Sequence, residues 1–110
     1  MLSRFDISIC MKGLADMKHI IQLFPTLILS QEVFSVLVSA TAVEKREISE
    51  AFAYLDAFGL NKSFMGRRCK RNGGNWELFV RFNAETAVEF TLKRVEEGPY
   101  KFEITTPVWR

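Results

Sequence analysis

With 110 residues, 48% of them hydrophobic and 25% charged, the chain has the size and composition of one ordinary folded domain. It can bury roughly 65% of its unfolded surface and is too apolar for a disordered segment. The longest greasy stretch, 26–42, is broken by Ser30, Gln31, Glu32, Ser35 and Ser39, which excludes a helical bilayer span of ~20 apolar residues, and a net charge of +2 gives the chain as a whole little pull toward polyanions.

A single domain over residues 1–110 is expected, with no internal repeat or linker. The opening residues lack a basic stretch followed by an apolar one, so no secretory leader is read there. A cytoplasmic location, with the two cysteines Cys10 and Cys69 reduced, is the expectation.

Residues 3–12 alternate, with Phe5, Ile7, Ile9 and Met11 on one side and Arg4, Asp6, Ser8, Cys10 and Lys12 on the other, the period of a half-buried strand. After Gly13, Leu14, Met17, Ile20, Ile21 and Phe24 recur at helical spacing, and Pro25 ends that helix by disfavouring the α conformation at Phe24. Residues 26–40 fit two patterns. Leu27-Ile28-Leu29 and the apolar run 33–38 suit two buried strands, whereas Val33, Phe34, Val36, Leu37 and Ala40 also fit a helix starting near Ser30; the β-branched content favours strands. Thr41 and Glu44 have the spacing of a capping box, Ile48, Phe52, Leu55 and Phe58 form an apolar stripe, and Gly59 supplies a stop, with Leu60 placed to touch Leu55 in a Schellman ending. These signals predict a helix over 42–58.

From Lys62 the pattern is an antiparallel meander, with strands near 63–71, 76–83, 86–95 and 100–106. Asn72-Gly73-Gly74-Asn75, Asn83-Ala84-Glu85 and Glu96-Glu97-Gly98-Pro99 supply the turns. Trp76, Leu78, Val80 and Phe82 share one strand face, as do Val88, Phe90 and Leu92, then Tyr100, Phe102 and Ile104; the opposite faces carry charges of both signs. The predicted fold is α+β: two helices packed on one face of a mainly antiparallel sheet ending in a four-strand meander, in the order β-α-β-β-α-β-β-β-β. Trp109, one residue from the end, is expected to close the helix-sheet core, with anchoring into a partner subunit as the alternative.

One segment is chemically biased. Residues 62–71 hold five cations and no acid, which leaves the rest of the chain net acidic by about three charges. Arg67, Arg68, Lys70 and Arg71 lie on one arm of a glycine-tipped hairpin, with Trp76, Phe79 and Arg81 on the other. A two- or four-residue loop sets residue 71 opposite 76, so Arg67, Cys69 and Arg71 fall on the face of Trp76, Leu78 and Val80. Two arginines on the core side are resolved by a bulge or by a hairpin that projects beyond the core, and a projecting basic ribbon is a phosphate-binding arm. Guanidinium groups bind phosphate bidentately, and Trp76 or Phe79 could stack on an unpaired base.

These seven residues are the candidate binding site of a small non-enzymatic module, with nucleic acid as the first partner class. The alternative is a protein-protein interaction module, a small regulator, inhibitor or assembly subunit, using the sheet edge or exposed aromatics; an acidic protein surface or a second copy in a homodimer would be its partner, and no membrane is involved. The plainer alternative is that the cations merely keep a sheet edge soluble.

No catalytic set is expected. His19, the lone histidine, follows Asp16 by three residues on the first helix without a matched nucleophile, and neither cysteine lies in a nucleophile pattern. Two distant cysteines and one histidine give no metal-ligand spacing, and no phosphate-loop or dinucleotide-loop motif is present, so neither metal nor cofactor is expected.

Overall fold

Capping side chains set where the three described helices begin. The computed structural model describes residues 23–110; the strand read over 3–12, the helix read over 14–24 except its last two residues, and the Asp16–His19 and Cys10 readings lie outside them. Ser30 accepts from the Val33 N–H at 3.2 Å and opens α1, Gln31–Ser39. The Thr41 hydroxyl accepts from the Glu44 N–H at 3.2 Å while the Glu44 carboxylate accepts from the Thr41 N–H at 2.9 Å, so the predicted capping box opens α2, Ala42–Phe58. Asn61 accepts from the Phe64 N–H at 2.9 Å and opens α3, Lys62–Arg67.

α2 has the predicted bounds and stops at Gly59, but its ending differs from a Schellman motif. A single bond runs from the Gly59 N–H to the Leu55 carbonyl at 2.9 Å, and Gly59 takes φ 68° and ψ −158°, a region essentially closed to residues with a Cβ.

Among the described residues, five strands form one open sheet: β1 Leu27–Leu29, β2 Cys69–Asn72, β3 Asn75–Arg81, β4 Ala87–Arg94 and β5 Phe102–Trp109, in the spatial order β1-β5-β4-β3-β2. β2 to β5 are antiparallel neighbours, and β1 pairs parallel with β5, Leu27 opposite Phe102 and Leu29 opposite Ile104. The fold is therefore α+β, as expected, with three helices among the described residues.

Two expectations are corrected. Residues 26–40 form one strand and one helix: Ser30 caps α1, and Val33, Phe34 and Leu37 then fall on its buried stripe. The strand read over 63–71 is α3 followed by a short β2. Asn61 decides this locally, since its side chain caps α3 and also donates to the Tyr54 hydroxyl at 2.8 Å, while the buried Phe64 ring stacks on Tyr54 at 5.3 Å. Helix α3 is thereby tied to α2, and alternation in its sequence loses to that contact.

The helices cover one face of the sheet. Leu27 and Leu29 of β1, Leu78 and Val80 of β3, Val88, Phe90 and Leu92 of β4 and Phe102 and Ile104 of β5 meet Val33, Phe34, Leu37, Ile48, Ala51, Phe52, Leu55 and Phe64 in one buried cluster. Fully burying side chains of this kind contributes about 1.5–3 kcal/mol each. Phe52 lies edge-on to both Phe24 and Phe90, at 5.7 and 5.3 Å. The other face carries Glu77, Phe79, Glu89, Lys93 and Glu103, with Lys93 directly opposite Glu103.

β5 runs three residues beyond its expected end. Thr105 pairs with Thr91 and Val108 with Glu89, so Thr106 and Pro107 oppose Phe90 alone, a bulge in which Thr106 has φ 53° and the proline owes no ladder hydrogen bond. The bulge carries Trp109 to the end of the sheet, where it meets Phe82 at 5.8 Å and stays 48% exposed. The expectation that Trp109 closes the core is thus overturned.

Candidate binding cleft at the sheet edge

The Gly73-Gly74 turn joins β2 to β3 with positive φ at Gly73 only (64°), the pattern of a type II′ hairpin. Register follows as predicted, with Arg71 opposite Trp76 and Cys69 opposite Leu78. The ladder then stops. The Phe79 N–H still donates to the Arg68 carbonyl at 2.7 Å, but the Arg68 N–H turns back to the Phe64 carbonyl at 2.9 Å and the chain enters α3. Among the described residues, β3 meanwhile continues to Arg81 paired only with β4. The sheet edge is therefore stepped.

A cleft of about 540 Å³ fills the step, lined by Met65, Gly66 and Arg68 from α3 and its end, Cys69 and Lys70 from β2, Phe79, Val80 and Arg81 from β3, Ala87 from β4 and Glu47 from α2. Among the described residues, three cations and one carboxylate thus line it. Lys70 sits 5.5 Å from the Phe79 ring centre and 3.8 Å from the Glu77 carboxylate. Arg81 donates to the Asn83 and Ala84 carbonyls at 3.3 and 3.4 Å, which holds its guanidinium near the β3–β4 turn that Asn83 ties together through the Glu85 and Thr86 N–H groups.

The structure divides the seven candidate residues. Arg68, Lys70, Phe79 and Arg81 share the cleft. Arg71 and Trp76 are elsewhere: the exposed Arg71 guanidinium lies 5.5 Å from the Trp76 ring centre, and Arg94, on the strand at the other side of β3, lies 5.8 Å from the same ring and 5.6 Å from Phe102. This group is on the helix face of the sheet, past the end of the core, so the core-side arginine at 71 covers an aromatic ring and is not buried beneath the helices. Arg67 is the last residue of α3 and no longer a strand residue.

Sequence reading missed Glu47, Met65, Gly66 and Arg94. Arg94 had a signal, since it lies two residues beyond Leu92, the partner of Trp76, on the same strand face. Met65 and Gly66 had none while 63–71 was read as a strand.

Two other groups frame the chemistry. Cys69 is 4% exposed and burial pushes its thiol up to about 11, so it is a protonated core side chain and not an activated nucleophile. Glu89, only 7% exposed, is pulled upward by burial, but hydrogen bonds to Arg110 and to the Glu77 carboxyl, with the charges of Arg110 and Lys70, outweigh that and hold its carboxyl below the ordinary value. Among the described residues no three His, Cys, Asp or Glu side chains gather as a metal site, and no helix is long and apolar enough to cross a membrane. Compared with known proteins, the chain matches no family model, no curated protein and no solved structure.

Proposed function

We propose that this protein is a non-enzymatic binding module that holds single-stranded nucleic acid along the stepped edge formed by α3, β2 and the end of β3. The observation that carries this reading is that Arg68, Lys70 and Arg81 line one cleft with Phe79, with Glu47 as the one carboxylate among its described lining residues. Cations spaced along a groove neutralise a phosphate backbone, and an aromatic side chain between them offers a face to any base.

Magnitudes favour the base over the resting contact. Lys70 over Phe79 is a cation–π pair at a solvent-accessible site, worth about 0.5–1 kcal/mol, whereas a base stacked on an aromatic side chain contributes about 1–3 kcal/mol. Lys70 can leave the ring for a phosphate when a base arrives. A single strand fits better than a duplex because its bases can splay out onto a half-buried ring, which bases paired and stacked in a helix cannot.

Anisotropy of short labelled single- and double-stranded DNA and RNA, with the native chain and an Arg68→Ser/Lys70→Ser/Arg81→Ser variant whose fold is checked by circular dichroism, tests the reading. Salt-sensitive single-strand binding lost in the folded variant is expected. Equal binding by both proteins, or none by either, refutes it.

The second reading, a protein-contact module, draws on Phe58 at the end of α2 and Trp109 at the end of β5, which are 66% and 48% exposed. A homodimer or an acidic protein partner would use those aromatics or the outer edge of β2. Sedimentation of the purified chain separates the readings: a stable dimer lost in Trp109→Ser, with no nucleic-acid affinity, favours the second.

A further inference from the structure

Gly66 stands in α3 on the wall of the cleft. Its φ is not in the left-handed region, and a Cβ placed on it meets nothing among the described residues within 4 Å. Among the described residues neither backbone nor packing requires glycine there, although glycine inside a helix is destabilising relative to alanine. What the missing side chain leaves is a clear approach to the helix backbone from the cleft.

The remaining walls are of two kinds. Arg68 and Arg81 offer guanidinium forks for an anion, while Met65, Phe79 and Val80 offer apolar surface, Met65 being an adaptable partner for a flat ring. At about 540 Å³ the space is far larger than a phosphate needs and falls in the range of small-molecule sites, about 300–1,000 Å³. An occupant that satisfies both walls and the volume carries a phosphate on one side and a flat, weakly polar ring on the other.

We infer that the cleft is a pocket for a single nucleotide, with its phosphate on Arg68 and Arg81 and its base against Phe79 and Met65, and that Gly66 keeps the pocket open. The nucleotide is either free or the phosphorylated end of a strand. The inference rests on the reading of this edge as a phosphate-binding surface, yet the edge can bind a strand without the pocket accepting a nucleotide.

Amide chemical shifts of the full chain are followed on titration with adenosine and uridine 5′-monophosphates, the two nucleosides and inorganic phosphate. Gly66→Phe is the blocking variant, since it changes no charge and has room for its Cβ; Arg81→Ser is the second, removing one phosphate contact from an exposed position. The monophosphates are expected to shift the Gly66, Phe79 and Arg81 amides at concentrations about tenfold or more below those needed for phosphate or nucleoside alone, because only they engage both walls. Each variant is expected to lose about tenfold or more of that affinity. A 5′-phosphorylated oligonucleotide binding more tightly than its unphosphorylated twin assigns the pocket to strand ends; equal binding assigns it to free nucleotide. Phosphate acting at the same concentration as the monophosphates, or Gly66→Phe and Arg81→Ser both binding like the native chain, overturns the inference. Oligonucleotide binding with the mononucleotides silent overturns the pocket alone, and mononucleotide binding with oligonucleotides silent overturns the strand reading alone.

Discussion

Removing Arg68 and Arg81 together should change how nucleic-acid affinity responds to salt, and by an amount that the cleft's composition sets. Three cations line it among the described residues. Lys70 rests near Glu77, but a 3.8 Å pair whose side chains are 66% and 24% exposed is worth under about 1 kcal/mol, so it yields to a phosphate. With three phosphates neutralised, the slope of log affinity against log salt for a single strand is about −0.7 times three, or about −2, and raising salt from ~50 to ~200 mM weakens binding about twentyfold. Arg68→Ser/Arg81→Ser leaves one cation, a slope of about −0.7 and a loss of about threefold over the same range. The assay is anisotropy of a labelled strand of about a dozen nucleotides at four or five salt concentrations. Arg71→Ser is the internal control, since Arg71 lies over Trp76 on the other face of the hairpin and should leave the slope unchanged. A double variant with the native slope, or an Arg71→Ser slope as flat as that of the double variant, refutes the assignment of the strand to the cleft.

Other outcomes follow from the supports of the cleft. Asn61→Ala removes both the α3 cap and the bond to Tyr54, and should cost about 1–2 kcal/mol in urea unfolding while loosening amide protection over 62–67 more than over α2. Gly59→Ala forces a Cβ into φ 68° and ψ −158° and should cost about 1–3 kcal/mol, read as a lowered melting temperature. The Glu89 carboxyl is held below its ordinary value, so the stability it adds is complete above the unfolded value near pH 4.5 and is lost as pH falls through the lower folded value; Arg110→Ser should therefore destabilise by up to about 1 kcal/mol at pH 7 and by progressively less as the pH falls through that range. Cys69, buried and raised to about 11, should resist a thiol reagent at pH 8 in the folded chain and react at once in urea.

What the sequence made legible was local. Thr41 and Glu44 are three residues apart and close their box without help from the rest of the chain, and Gly73-Gly74 sets the hairpin register through the turn alone, so α2 and the pairing of Arg71 with Trp76 could be read directly. Residues 26–40 were decided by competition: β-branched composition favoured strands, but one Ser30 cap and the placement of Val33, Phe34 and Leu37 on a single buried stripe favoured a helix, and the buried stripe prevailed. The parallel pairing of β1 with β5 joins positions about 75 residues apart in the chain and leaves no local mark. Trp109 was misplaced because the Thr106–Pro107 bulge, visible only once β4 and β5 are in register, sets it beyond the core.

The same logic separates the candidate site from the ribbon expected in its place. The bias of residues 62–71 toward positive charge is a property of composition and was plain; the shape that bias acquires depends on where β2 begins. A strand running from 63 would have paired with β3 along its whole length, filled the edge and spread the cations over two faces of a hairpin. Asn61 starts a helix instead, the Arg68 N–H bonds to Phe64 and not across the sheet, and among the described residues β3 is left to run on to Arg81 beside β4 alone. The hollow between that strand and α3 exists because the helix displaced the strand, so a change that weakens α3, such as Asn61→Ala, should weaken nucleic-acid binding without touching a cation. If affinity instead survives loss of α3 protection, the cations act as a flexible basic run, and the cleft has no part in binding.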